Sequence, residues 1–307
     1  MKSLLLSIVV TAHNSGEYLE ACLHSLRSAL GENFNLCEIL LINDSSSDDS
    51  EKIYDRFALG STNIKKFNVS YENIGMVRNF AVQKCSGQYI TMLDGDDLLL
   101  RTSFTEILDF LSSHQPDMLI TKLNEVQIKP SKGEINRFAA RAIGQNRAIR
   151  EYLIHKSFQA HFIGKFIKSE ILKDHHFPDF VCYEDSFLFL EVLQHCNRIY
   201  YSSVGPYLYV KRAGSLSAIM DEGKIKLYKI SLERMDSILG SEYKSLQMCH
   251  WIEFINRYHD IIALWTDRGG MKQCLANVRT FSFILNPYVR LSYKRKLFKV
   301  RRITKAW

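Results

Sequence analysis

The chain has 307 residues and lacks the two glycine-rich phosphate cradles common on α/β sheets. No GxGxxG follows its first apolar run, and no GxxxxGK followed by Ser or Thr occurs. The backbone nests that hold phosphates in dinucleotide and P-loop folds are therefore excluded. Its seven cysteines (Cys22, Cys37, Cys85, Cys182, Cys196, Cys249 and Cys274) are odd in number, and none forms a Cys-x-x-Cys pair. That excludes a thiolate zinc site of ordinary spacing and favours free thiols in a reducing cytosol over a disulfide framework. No stretch reaches the ~18 apolar residues of a membrane-spanning helix. The run Leu4, Leu5, Leu6, Ile8, Val9 and Val10 is too short to span and has no cleavage site, so neither anchor nor signal peptide is expected.

Acidic residues are also missing, but only from one end. After Asp267 come eleven cations and no acid: Arg268, Lys272, Arg279, Arg290, Lys294, Arg295, Lys296, Lys299, Arg301, Arg302 and Lys305. The whole chain carries +7, so the remainder is mildly acidic and the basic character belongs to the tail. Such a segment points to an anionic partner. Nucleic acid is not expected, because no recognition module accompanies the basic run.

What is present suits a packed soluble domain: 46% hydrophobic and 24% charged residues leave no room for wholesale disorder. Short β-branched runs at Leu4–Val10, Glu38–Asn43, Asn63–Ser70, Gln88–Leu93 and Asp117–Lys122 predict strands. Apolar groups at helical spacing predict helices over Ser15–Leu30, Glu51–Phe57, Met76–Lys84 and Thr102–Ser113. Strands alternating with helices predict a mostly parallel sheet, whose ligands gather at the carboxyl ends of the strands. Beyond about residue 131 the pattern blurs. A helix over Glu184–Leu193, one strand over Tyr200–Val210 and helices from Lys224 onward are expected, with Gly269-Gly270 as a break. The division follows: an α/β domain over 1–220 and a helical C-terminal extension with a basic tail over 221–307.

Three polar clusters follow three predicted strands: Thr11-Ala12-His13-Asn14, Asn43-Asp44-Ser45 and Asp94-Gly95-Asp96-Asp97. In a parallel sheet they converge on one edge. Three carboxylates within four residues repel one another, which a hard divalent cation would relieve. The bland alternative is a helix cap with solvated neighbours. A diphosphate without a glycine cradle would need such a cation. Asp44 could accept hydrogen bonds from a nucleobase or ribose, whereas Ser46–Asp49 reads as a locally bonded turn. Glu184 and Asp185 could supply a general base, or simply favourable charge at a helix start.

Taken in order, these segments resemble the family 2 glycosyltransferases of the GT-A fold. Ser7–Asn14 resembles the opening strand and loop, Leu41–Asp48 the acidic segment, and Asn73–Asn79 followed by Gly87–Ile90 the N-x-G-x-x-x-R-N and G-x-Y-I stretches. Leu93–Asp97 resembles the DXD motif, Tyr183-Glu184-Asp185 the E-D motif, and Tyr207–Ser217 the Y-x-Y-x-x-R-x-x-S-x-S segment. The resemblance covers roughly residues 5–217. It implies a nucleotide-sugar-binding GT-A fold and inverting transfer from a nucleotide-diphosphate sugar, UDP-linked in most relatives, to a glycan hydroxyl. It implies that Asp44 contacts the base and that Thr11, His13, Asn14, Asn73, Arg78, Asn79 and Gly95 line the nucleotide-sugar pocket. Asp94 would touch the ribose or metal, and Asp96 would bind Mn²⁺ or Mg²⁺. Arg212 and Ser215 would lie by the diphosphate. Asp185 would be the catalytic base, with Glu184 as the alternative.

Two departures stand out. Asn43 occupies the place of a second aspartate, and His13 that of a tyrosine. The Q-x-x-R-W motif of processive synthases is absent, so transfer of one or few sugars to a growing bacterial surface glycan is expected. Tyr293, Leu297, Val300 and Trp307 would share one face of a helical tail, so residues 288–307 could rest on an anionic membrane and serve a lipid-linked acceptor. A packed terminal helix is the competing reading. The expected location is the cytoplasm, at the inner face of the cell membrane if the tail binds lipid. Two other functions stay open: a metal-dependent nucleotidyltransferase, and a non-catalytic glycan- or membrane-binding relative.

Overall fold

The computed structural model describes residues 4–101, 104–126, 137–212, 220–276 and 278–307. In chain order the elements of the first part are β1 (Leu6–Ala12), α1 (Gly16–Leu30), β2 (Glu38–Asp44), α2 (Ser50–Ala58), β3 (Ile64–Val69), α3 (Ile74–Lys84), β4 (Tyr89–Asp94) and β5 (Leu98–Leu99). Then come α4 (Phe104–His114), β6 (Met118–Thr121), β7 (Asn124–Val126), β8 (Ala140–Ile143), α5 (Gln145–Leu153), β9 (Lys165–Lys168), α6 (Ser169–Lys173), α7 (Glu184–Gln194), β10 (Ile199–Ser202) and β11 (Tyr207–Val210). The rest is helical: α8 (Glu222–Ile238), α9 (Lys244–Ile262), α10 (Gly269–Ala276), α11 (Thr280–Leu285) and α12 (Leu291–Lys305).

The chain divides into two compact units. The first comprises Met1–Gln145 and Ser157–Ile219, the second Asn146–Lys156 and Met220–Trp307. A boundary at 220 leaves 146–156 with the first unit, whereas the contacts join it to the second. Local polar and ring contacts explain this. His250 Nε2 donates to the Leu153 carbonyl at 3.0 Å, the Tyr243 hydroxyl donates to Asn146 Oδ1 at 3.0 Å, and the Tyr152 ring lies 6.0 Å from that of His250.

In the first unit, the described strands form an eight-stranded sheet in the order β3-β2-β1-β4-β9-β6-β10-β8. The segment β3-β2-β1-β4 is parallel throughout, and β10 runs parallel to β6. β9 runs antiparallel to both β4 and β6, and β8 antiparallel to β10. A second, small sheet has the order β5-β11-β7. Every residue of β1 and β2 is buried, which is why both read as continuous apolar runs. α1 buries Leu19, Cys22, Leu23, Leu26 and Leu30, the spacing of one helix face. Each such leucine contributes about 1.5–3 kcal/mol by leaving water. At the amino end of the sheet, Ser7 donates to Glu38 at 2.5 Å and accepts from the Gly87 N–H at 2.8 Å. That end is closed by internal hydrogen bonds.

Two expectations need correction here. Tyr200–Val210 is not one strand: β10 joins the large sheet and β11 the small one. The chain turns at Gly205-Pro206, where a Cβ on residue 205 would lie 2.4 Å from the Lys122 carbonyl and Pro206 has no N–H to continue a ladder. Gly269-Gly270 does not simply break a helix but opens α10.

In the second unit, α9 buries Trp251, Ile252, Phe254, Ile255, Tyr258 and Ile262, and α12 packs against α9. Leu297 and Val300 are fully buried, and Lys296 pairs with Glu253 of α9 at 2.5 Å. The apolar side of the tail, expected to meet a membrane, is therefore buried inside the unit. No helix among the described residues is long and apolar enough to cross a membrane.

Candidate active site

The parallel register brings the loops after β1, β2 and β4 to one edge, and α7 supplies a fourth wall. The first two loops are laced together. His13 Nδ1 donates to the Asp44 carbonyl at 2.6 Å, and Asn14 Nδ2 lies 3.2 Å from His13 Nε2, so the ring carries its proton on Nδ1. Asn14 accepts from the Ser47 N–H at 2.8 Å, and Asp48 accepts from the Gly16 N–H at 2.7 Å. Both Asn14 and Ser45 sit at positive φ, 49° and 51°, which side-chain hydrogen bonding helps asparagine tolerate.

Asp44 is buried, and its carboxylate accepts the N–H groups of Tyr71, Glu72 and Asn73 at 2.7, 3.1 and 3.3 Å. It therefore shapes the turn into α3. Beside it, Asn43 is buried with Nδ2 on Asn68 at 3.3 Å, and its Oδ1 has no partner among the described residues. Asn73 caps α3, accepting from the Met76 N–H at 3.1 Å, and donates to Asp179 at 2.7 Å. Asn79 donates to the Phe177 carbonyl at 2.9 Å and accepts from its N–H at 2.8 Å. These two asparagines fasten residues 177–179 to α3. Gly75 permits that seam: a Cβ there would lie 2.0 Å from the Pro178 carbonyl oxygen.

The centre of the site is Arg78, a buried guanidinium on α3. It pairs with Glu184 at 2.5 Å, with Asp185 at closer range, and with Asp94 at 3.5 Å. Burial works against its charge, yet the Asp185, Glu184 and Asp94 carboxylates hold its pKa above the ordinary value. Glu184 and Asp185 occupy the first turn of α7, where the helix dipole favours negative charge. Their titrations part company. Burial, reinforced by the Asp185 charge, pushes Glu184 up. At Asp185 burial is outweighed by Arg78 and His161, which hold the carboxyl down. Asp185 is thus the more readily ionised member of the pair. Tyr183, just before them, sits at φ 65°, a strained conformation for a bulky residue.

The acidic loop after β4 is held from both sides. The Gly95 N–H donates to the Thr11 carbonyl at 2.8 Å, and Thr11 Oγ1 lies 3.5 Å from Asp94. Asp97 is buried; it accepts from the Tyr207 hydroxyl at 2.6 Å and the Val210 N–H at 2.8 Å. Burial, with the Asp94 charge, pushes Asp97 up to about 7. Asp96 is the more open of the three, its side chain 41% exposed, with Arg212 at 3.0 Å. Burial and the Asp94 charge raise it as well. Arg212 also lies 4.0 Å over the Tyr18 ring. Ser215 lies outside the described residues.

Among the described residues no group of three or more His, Cys, Asp or Glu side chains is placed to hold a metal. Asp94 and Asp96 do fit a divalent oxygen-ligated cation as a two-carboxylate site. Both are partly exposed, and a cation would relieve the Asp94 repulsion that adds to burial in raising Asp96. The other ligands would come from the diphosphate and water, as Mg²⁺ and Mn²⁺ accept.

Sequence reasoning missed Tyr207 and Lys165. Tyr207 opens the Y-x-Y segment, but nothing local reveals that its hydroxyl reaches the loop after β4. Lys165 is buried, donating to the Gln159 carbonyl at 2.9 Å and to that of His161. Burial pulls its pKa down to about 7, with Asp185 opposing the fall. The 159–161 bend it grips brings His161 Nδ1 to 3.6 Å from Asp185 Oδ2.

Residues 7–176 match the model of glycosyl transferase family 2. An uncharacterized glycosyltransferase of Mycoplasma pneumoniae, the MG025 homolog, is 26% identical over 205 residues, covering 64% of each chain. The chain thus spans just under two thirds of that relative's length. Glycosyltransferase GlyG of Streptococcus pneumoniae is 26% identical over 228 residues, 69% of this chain and 72% of that one. Among solved structures, residues 1–349 of S. aureus TarS in complex with UDP-GlcNAc superpose with a TM-score of 0.68 at 18% identity, covering 98% of this chain and 92% of that one. This last likeness establishes the α/β architecture with its mostly parallel sheet and C-terminal helices.

Proposed function

The chain belongs to glycosyl transferase family 2, and from that membership we propose that it moves a sugar from a UDP-linked donor to a hydroxyl of a growing bacterial surface glycan. The bond to the departing diphosphate breaks as the acceptor oxygen attacks the anomeric carbon from the opposite face, inverting it. What carries the reading is Arg78, which ties Asp94 of the acidic loop to Glu184 and Asp185 of α7. One buried cation sets the distance between the donor-holding carboxylates and the base. The UDP-GlcNAc bound in the TarS complex supports a UDP-linked donor.

Asp185 takes the proton of the acceptor hydroxyl; it is held ionised by Arg78, so it is ready to accept at neutral pH. Glu184, raised by burial and by Asp185, shares Arg78 and keeps Asp185 oriented. Asp94 and Asp96 would hold Mn²⁺ or Mg²⁺, which when bound neutralises the departing diphosphate. Arg212, against Asp96, adds positive charge beside the same phosphates. Asp44, at the end of β2, would contact the nucleobase, with the buried, unpartnered Asn43 oxygen beside it. The cationic stretch from 268 to 307, which holds no acid, supports an acceptor carried on a lipid at the inner face of the membrane.

Calorimetric titration with UDP, GDP, CDP and dTDP, each with and without Mn²⁺, tests this. UDP should bind only with the metal, and Asp96→Ala should lose that metal-dependent binding while keeping its fold. Metal-independent binding of UDP would remove the metal assignment, and equal binding of all four nucleotides would remove the donor assignment.

A further inference from the structure

The side of the tail left exposed is opposite to the one its sequence suggested for a membrane. On α12 the buried residues Leu297, Val300 and Thr304 fall within about 60° of arc at ~100° per residue. Leu291, Arg295, Phe298, Lys299, Arg302 and Lys305 are all exposed, and they fall on an arc of about 120° on the other side. Leu291 is 63% and Phe298 50% exposed, a cost in water that a surface helix normally avoids by placing polar groups there. None of Arg295, Lys299, Arg302 and Lys305 has an acidic partner among the described residues, in contrast to Lys296 on Glu253. The segment just before also exposes large apolar side chains, Phe281, Leu285 and Tyr288 at 78%, 62% and 50%, and no acid occurs from 268 to 307.

We propose that this exposed face of α12 docks on an anionic lipid surface, with Arg295, Lys299, Arg302 and Lys305 against headgroup phosphates and Phe298 and Leu291 seated at the acyl boundary. The inference rests on the reading of a lipid-carried acceptor and names the surface that would serve it. Unpaired cations give charge complementarity to phospholipid. Large apolar side chains standing among them favour a lipid interface over a soluble polyanion, which would offer them nothing to enter.

Sedimentation of the full chain with vesicles tests the proposal, without any nucleotide present. Binding should appear with phosphatidylglycerol mixed into phosphatidylcholine, be absent with phosphatidylcholine alone, and weaken as salt rises. The triple variant Arg295→Glu, Lys299→Glu, Arg302→Glu should bind on the order of a hundredfold more weakly. Phe298→Ser, which leaves every charge in place, should also bind more weakly and serves if the triple variant does not fold. No binding to phosphatidylglycerol, equal binding to both vesicles, or a Phe298→Ser chain that binds as its parent does would overturn it. That last result would mean a polyanion site. Nucleotide titration of the same samples is independent, so failure on vesicles leaves the transferase reading standing, and the reverse.

Discussion

The Tyr207 hydroxyl donates to Asp97 at 2.6 Å and accepts from the Asp94 N–H at 3.2 Å. One phenol on β11 therefore stitches both ends of the acidic loop, and Asp97 is its anchor rather than a third ligand. Tyr207→Phe leaves the buried Asp97 carboxyl with only the Val210 N–H of its two donors, which costs about 1–3 kcal/mol. Urea unfolding should report that loss, and metal-dependent UDP affinity should fall because Asp94 and Asp96 lose their fixed spacing. Unchanged affinity would mean that β11 merely covers the loop.

Gly95 is the second determinant of that loop. A Cβ there would sit 2.8 Å from the Thr11 carbonyl oxygen and 3.1 Å from Leu19 Cδ1, and backbone cannot swing aside as a side-chain tip can. Gly95→Ala should destabilise the fold by about 1–3 kcal/mol and weaken nucleotide binding in the same calorimetric assay. An alanine variant with wild-type affinity would show the loop to be more pliable than its hydrogen bonds suggest.

The two carboxylates at the start of α7 should behave differently. Asp185→Asn should keep donor affinity but lower transfer by about 10²–10⁴-fold, the usual contribution of a general base. Glu184→Gln imitates the protonated form that burial favours, so its effect should be smaller. Turnover measured for both variants at saturating donor decides the matter, and the reverse ranking would make Glu184 the base.

Lys165 should leave a mark on the pH dependence of stability. Its amine titrates at 10.5 when unfolded and at about 7 in the fold. Between those values the unfolded chain binds more protons, so stability rises with pH. Relative to Lys165→Met, the parent should gain stability from the lower to the upper end of that window, with a slope approaching ~1.4 kcal/mol per pH unit. Parallel curves for the two proteins would show that Lys165 stays charged in place.

Much of the fold is readable from residues alone. The run of βα units through β6 is legible because buried parallel strands are continuous apolar runs and their helices have a 3.6-residue period. The three polar clusters lie at one edge, since parallel strands present their carboxyl ends together. Residues 124–173 are not legible. β9 is four residues long and is inserted antiparallel between β4 and β6, a pairing of partners far apart in the chain.

The sequence by itself determined which side chains are available and at which strand ends: Asp44, Asp94, Asp96, Glu184 and Asp185, and a tail with charge of one sign. Tertiary structure decided what each of them does. It committed Asn73 and Asn79 to the 177–179 seam, turned Asp97 into an anchor for Tyr207, and set Arg78 between Asp94 and Asp185. It also buried Leu297 and Val300, so that the opposite side of α12 faces solvent. The physical reason is the same in each case. Periodicity reports which residues share a face, but a buried polar group must find a partner, and that partner is supplied by segments the local pattern cannot see.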